Sequence, residues 1–121
     1  MIALERINLA DAARYVPSCE RIDVMSVDLS FVSLFDALPQ MRDIAIAPGA
    51  SLLALVKPQF ELRLDRLPTG TGELERSFAI ACEGASRAGW APVAGMRSPV
   101  SGARGAREFF LLASWPSAVD E

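Results

Sequence analysis

Histidine is absent from all 121 residues. That removes Ser-His-Asp and Cys-His catalysis and every histidine-ligated metal site. Cysteine is scarce: Cys19 and Cys82 are the only two. They are too few for a disulfide scaffold or a four-cysteine zinc site and are expected to be reduced thiols, with Cys82 packing as a small hydrophobe. No metal site is expected. Long apolar runs are also missing. The longest uncharged stretch, Ile44 to Val56, has 13 residues and is broken by Pro48-Gly49, whereas a membrane-crossing helix needs about 20. No apolar segment follows Glu5 and Arg6 in the manner of a secretion signal. These absences point to a cytoplasmic protein without a membrane segment. Basic charge is not in excess, since 12 basic and 15 acidic residues give a net charge of −3. A generally basic nucleic-acid binder is thereby disfavoured, and only a local basic face remains open. Lysine is nearly missing: Lys57 stands alone among arginines.

What is present suffices for one domain with a core, because 51% of residues are hydrophobic and 22% charged. No repeat or low-complexity block interrupts the chain. Met1 to Leu4 is a short apolar run, read as a strand or its remnant, and Leu9 to Tyr15 as one or two helical turns. Ile22 to Asp28 reads as a buried strand closing on a carboxylate. Ser33 and Asp36 have the spacing of a capping box at a helix start, and Pro39 limits that helix. Pro48-Gly49 reads as a turn. Ser51 to Lys57 is apolar on both faces, as central parallel strands are. Gly70 to Gly72 reads as loop, and Glu73 to Ala88 is the clearest helix, with Leu74, Phe78, Ala81, Cys82 and Ala85 on one face. Trp90 to Met96 and Phe109 to Ser114 are the remaining strands, joined by a loop rich in Gly, Ser and Arg over 97–107. Alternation of this kind predicts an α/β sheet with an antiparallel strand pair at its C-terminal end.

In such sheets ligands bind outside the carboxyl ends of the parallel strands. Asp28 and Lys57 each end a predicted strand. Glu108 opens the last one, so an antiparallel course brings it to the same edge. Structural ion pairing explains such charges as readily as chemistry does. Residue identity adds to this. Val27-Asp28-Leu29-Ser30-Phe31-Val32-Ser33-Leu34, Leu55-Val56-Lys57-Pro58-Gln59-Phe60-Glu61 and Gly105-Ala106-Arg107-Glu108-Phe109, with Leu4-Glu5-Arg6-Ile7-Asn8 before them, resemble in order and separation motifs of the TlyA family. This family, also called hemolysin A, comprises FtsJ-type, S-adenosylmethionine-dependent rRNA methyltransferases.

The resemblance covers nearly the whole chain and implies a partial Rossmann-like methyltransferase sheet, with residues 1–116 as the C-terminal half of the domain and 117–121 as a tail. It matches Asp28, Lys57 and Glu108 to the last three members of the family's Lys-Asp-Lys-Glu tetrad for ribose 2′-O-methyl transfer. Lys57 takes the place of the general base, a role a lysine fills only when neutral. Asn8 and Asp28 are expected on the cofactor side, and Arg97, Arg104 and Arg107 against the phosphates of ribosomal RNA. The family's first lysine and its Gly-rich cofactor loop have no counterpart here. The Gly70-Thr71-Gly72 segment stands in the wrong place for that loop, and Ala106 replaces the family's Asn. Weak or absent binding of S-adenosylmethionine by this chain alone is therefore expected. Two functions stay open: a truncated rRNA methyltransferase, inactive alone, or a non-catalytic remnant that binds a partner or forms a homo-oligomer through an exposed strand edge.

Overall fold

A computed structural model describes residues 2–5, 8–17 and 20–116. Met1, Cys19 and the tail at 117–121 lie outside them. Four strands, β1 (Ile22–Val27), β2 (Ile46–Val56), β3 (Ala91–Arg97) and β4 (Phe109–Ser114), form one sheet in the order β1-β2-β4-β3. β1 and β2 are parallel, while β4 runs antiparallel to both β2 and β3. The expected partial Rossmann-like sheet with a C-terminal antiparallel pair is the one observed. Its helices are α1 (Leu34–Gln40), the single turn α2 (Pro58–Glu61) and α3 (Thr71–Arg87).

Strand alternation decides where the core lies. Leu52, Ala54 and Val56 of β2, with Leu111 and Ala113 of β4, point to one face and are buried against Leu34 and Leu38 of α1 and Ala81 and Ala85 of α3. The two helices touch where Gly84 leaves no side chain; a Cβ there would overlap the Phe35 backbone. At the far end of the sheet Trp90 and Trp115 meet edge to face, with ring centroids 5.0 Å apart. No described helix is long and apolar enough to cross a membrane.

Three local expectations need correction. Pro48-Gly49 is not a turn between elements but lies inside β2, at an irregularity where the register with β1 jumps from Ile22–Ile46 to Val24–Ser51. A strand that bulges here accommodates a proline without an N–H and a glycine at φ +81°. Gly49 N–H donates to the Trp115 carbonyl at 2.9 Å, which keeps the bulged stretch attached to the chain beyond β4. The Gly70–Gly72 segment is not all loop: Gly70 is the N-cap, and its carbonyl already accepts from Leu74 N–H at 3.0 Å. Finally, residues 2–5 form no strand, and both Ile2 and Leu4 are exposed.

Candidate active site

β1 and β2 run side by side, so their carboxyl ends deliver Asp28 and Lys57 to the same edge of the sheet. Lys57 Nζ lies 2.7 Å from Asp28 Oδ1 and donates a hydrogen bond to Ser30 Oγ at 3.1 Å. The Lys57 side chain is 19% exposed and Asp28 67%. The ammonium is thus half-sheltered, and its carboxylate partner faces solvent. Two of the three ammonium donors are engaged, which leaves one for a ligand.

The same corner is tied together three times. The first tie is the Lys57 contact with Asp28 and Ser30. The second is aromatic: Phe60 of α2 packs on Phe31 with centroids 5.0 Å apart. The third is Glu61, which is buried, and whose carboxylate accepts from the N–H groups of Leu34 at 2.6 Å and Phe35 at 3.4 Å. These are orphan amides of the first turn of α1, and Ser33 Oγ takes a further one, Asp36 N–H, at 3.1 Å. The Asp36 half of the expected capping box is diverted, because its carboxylate pairs with Arg63 at 2.6 Å. Burial raises the Glu61 pKa from its usual 4.5, against the lowering effect of the two backbone donors. Lys57, Phe60 and Glu61 therefore dock onto 28–35, and the two sequence motifs form one physical unit.

Glu108 is one step beyond the β2–β4 pair Val56–Phe109, and so lies opposite Lys57 in register. Its carbonyl continues the β3–β4 ladder by accepting from Ser98 N–H at 2.8 Å. Its side chain lies over Gly102, where a Cβ would overlap the carboxylate. It is not within ion-pair distance of Lys57: the structure brings together Asp28 and Lys57 and leaves Glu108 beside them on the Gly-rich loop. β3 runs in the direction of β1 and β2, so Arg97 at its end stands on the same edge of the sheet. Arg104 and Arg107 follow in the loop, and all three are exposed, with no ion pair among the described residues. Arg104 sits at φ +59° in a short 3₁₀ turn, Ala103–Gly105. Asn8 is the N-cap of the 3₁₀ segment Leu9–Tyr15, its side-chain oxygen accepting from Ala10 N–H at 3.1 Å. That bond accounts for Asn8 as a capping residue.

Two contributors escape sequence reasoning. Phe31 is 88% exposed at φ +67°, a rare conformation for an aromatic residue. Only its place in the Asp28-to-Leu34 motif hints at it. Glu61 reads as an ordinary helix carboxylate until its partners more than 25 residues upstream are seen.

No protein-family profile matches the chain. Curated relatives do. The 16S/23S rRNA (cytidine-2′-O)-methyltransferase TlyA of Mycobacterium tuberculosis is 34% identical over 118 residues, which is 92% of this chain and 42% of that protein. YqxC of Bacillus subtilis, whose name assigns it to rRNA methylation, is 29% identical over 141 aligned positions, covering 100% of this chain and 44% of that protein. Among solved structures, one from Streptococcus thermophilus named as a hemolysin superposes with a TM-score of 0.80 at 26% identity, over 93% of this chain and 42% of that one. The chain thus spans less than half the length of these relatives. Sequence and fold together make it a relative of the TlyA-type rRNA methyltransferases, similar to them along nearly all of its own length.

Proposed function

We propose that this chain supplies the Asp28–Lys57 edge of an S-adenosylmethionine-dependent ribose 2′-O-methyltransferase acting on ribosomal RNA. The observation that carries the reading is the 2.7 Å Asp28–Lys57 pair at the carboxyl ends of adjacent parallel strands, the sheet edge where ligands bind in folds of this class. Support comes from a relative that is 34% identical to this chain and is named for rRNA cytidine-2′-O-methylation.

S-adenosylmethionine supplies the methyl group in this chemistry. The described residues do not form a pocket for it. Two concavities lie away from this edge, one beneath Trp90 and Trp115 and one on the sheet face opposite α1 and α3. The start of α3 is crossed by the Arg66–Glu73 pair at 2.8 Å rather than open as a nucleotide cradle. The chain by itself is expected to bind it weakly or not at all. Geometry and the resemblance together support these roles for the chain's own groups. Asp28 and Ser30 fix the Lys57 amine. Its remaining position faces a ribose 2′-hydroxyl, whose proton it takes when neutral. Glu108, opposite Lys57 in register, borders the same edge. The exposed Phe31 ring, backed by Phe60, offers a stacking surface for a base. Arg97, Arg104 and Arg107 meet phosphates.

The test replaces the matched region of the Mycobacterium tuberculosis relative with this chain and measures methyl transfer from S-adenosylmethionine to rRNA. Transfer is expected, with a loss of at least about 100-fold in Lys57→Met. A chimera that folds, binds the cofactor and transfers nothing decides for the second reading, a non-catalytic protein that pairs through the free edge of β1. That edge is the specific observation favouring it, since among the described residues β1 pairs with no strand but β2.

A further inference from the structure

Among the described residues Glu61 is the one buried ionisable side chain, 4% exposed. Burying a carboxylate is costly, and the start of α1 does not demand it. Ser33 already caps that helix from within, and the remaining amides of a first turn are commonly satisfied by water. Glu61 instead reaches across 27 residues of sequence to the Leu34 N–H. Its placement calls for a reason outside α1.

The backbone around it supplies one. In α2 the N–H groups of Phe60 and Glu61 both donate to the Lys57 carbonyl at 3.0 Å, so one helical turn fixes Glu61 relative to Lys57. Facing them, residues 28–33 form no regular element. Phe31 holds φ +67° there, a conformation that persists in such a residue only where its surroundings impose it. Two polar fastenings bracket this stretch, and they come from the two ends of the same turn. Lys57 grips Asp28 at 2.7 Å, and Glu61 grips the Leu34 N–H at 2.6 Å. Between them lie the Phe31–Phe60 ring contact and Ser30, which accepts from the Lys57 amine at 3.1 Å. Released at the Leu34 end, the stretch is free to leave the left-handed region at Phe31, and Ser30 moves with it. The amine then keeps one partner, the exposed Asp28 carboxylate, and loses its fixed direction.

We infer that Glu61 is a positioning residue for the candidate active site: by clamping the start of α1 to α2 it holds Ser30 against Lys57 and so aims the amine. For catalysis this rests on the role proposed above for Lys57, but the aim of the amine is measurable without any activity. Lys57 is the only lysine, so lysine isotopically labelled at Cε gives the isolated chain a single side-chain methylene to follow by NMR. In the wild type the held amine is expected to give its two Hε protons separate shifts. Glu61→Ala is expected to merge them, as is Glu61→Asp, which withdraws the carboxylate from the Leu34 N–H by one methylene. Leu38→Ala weakens α1 from its core side and is expected to leave the shifts separate. In the chimera described above, Glu61→Ala is expected to lower kcat about tenfold, with KM for rRNA changed by less than about twofold. Merged shifts in the wild type would overturn the inference, as would separate shifts in Glu61→Ala, or in Glu61→Asp should Glu61→Ala not fold. Equal merging by Leu38→Ala, or loss of folding in both Glu61 variants, would also overturn it by making Glu61 a determinant of the fold alone. So would an unchanged kcat in an active chimera. A chimera that transfers nothing even with Glu61 in place overturns instead the role proposed for Lys57, and the Hε shifts then decide the positioning by themselves.

Discussion

Glu61 carries opposing demands: burial disfavours its charge, and the Leu34 and Phe35 amides favour it. Burial wins, so the folded chain holds the Glu61 proton more tightly than the unfolded chain does. The stabilisation this gives is complete below about pH 4.5 and is lost as pH rises through the elevated value. Glu61→Gln keeps an acceptor for the amides and removes the titration. Urea midpoints from about pH 4 to about pH 8 should fall for the wild type relative to the variant; parallel profiles would contradict this. Glu61→Ala leaves the amides unpaired and should cost about 1–3 kcal/mol at low pH and less as pH rises. Phe31 makes the opposite bargain, holding a left-handed backbone while its ring, in contact with Phe60 on one side, stays largely exposed. Phe31→Asn, which tolerates that backbone, should leave the melting temperature unchanged or raise it by a few degrees. It should also weaken rRNA binding by the chimera roughly tenfold if a base stacks there. A clear loss of stability would mean that the ring is structural.

At the scale of elements, α1 depends on what its N-terminus and one face receive. Ser33→Ala removes the cap on Asp36 N–H and should cost about 1 kcal/mol. Gly84→Ala drives a methyl group into the Phe35 backbone and should cost about 2–3 kcal/mol by prising α1 from α3; a neutral thermal melt would refute the close contact. Much of this was legible in the sequence. Short apolar runs located β1 and β4, the helical period located α3 to within two residues, and the strand-end positions of Asp28 and Lys57 predicted their meeting. The Pro48-Gly49 segment was misleading because its local chemistry is that of a turn, and only pairing with the chain beyond β4 keeps it in the sheet. The anchoring role of Glu61 was hidden because nothing local distinguishes it from a solvated carboxylate. Glu108 was located at the correct edge by register, but Gly102, which receives its side chain, carries no signal in composition or period.

At the scale of the whole molecule, calorimetry of the purified chain with S-adenosylmethionine should show no binding at micromolar concentrations, since the strand-end edge holds a charged pair and no enclosing pocket; a micromolar dissociation constant would overturn this. The order β1-β2-β4-β3 has a further consequence for how the molecule is made. β4 sits between β2 and β3, and Leu111 and Ala113 complete the buried layer, yet β4 is the last of the four strands to be synthesised. While residues up to about 108 have emerged from the ribosome, β2 and β3 have no common partner and α3 lies over an unfinished floor. Vectorial synthesis thus delays closure of the core until β4 clears the exit tunnel. Arrested nascent chains should remain protease-sensitive up to that length and become resistant together, in one step, once Trp115 can reach Trp90.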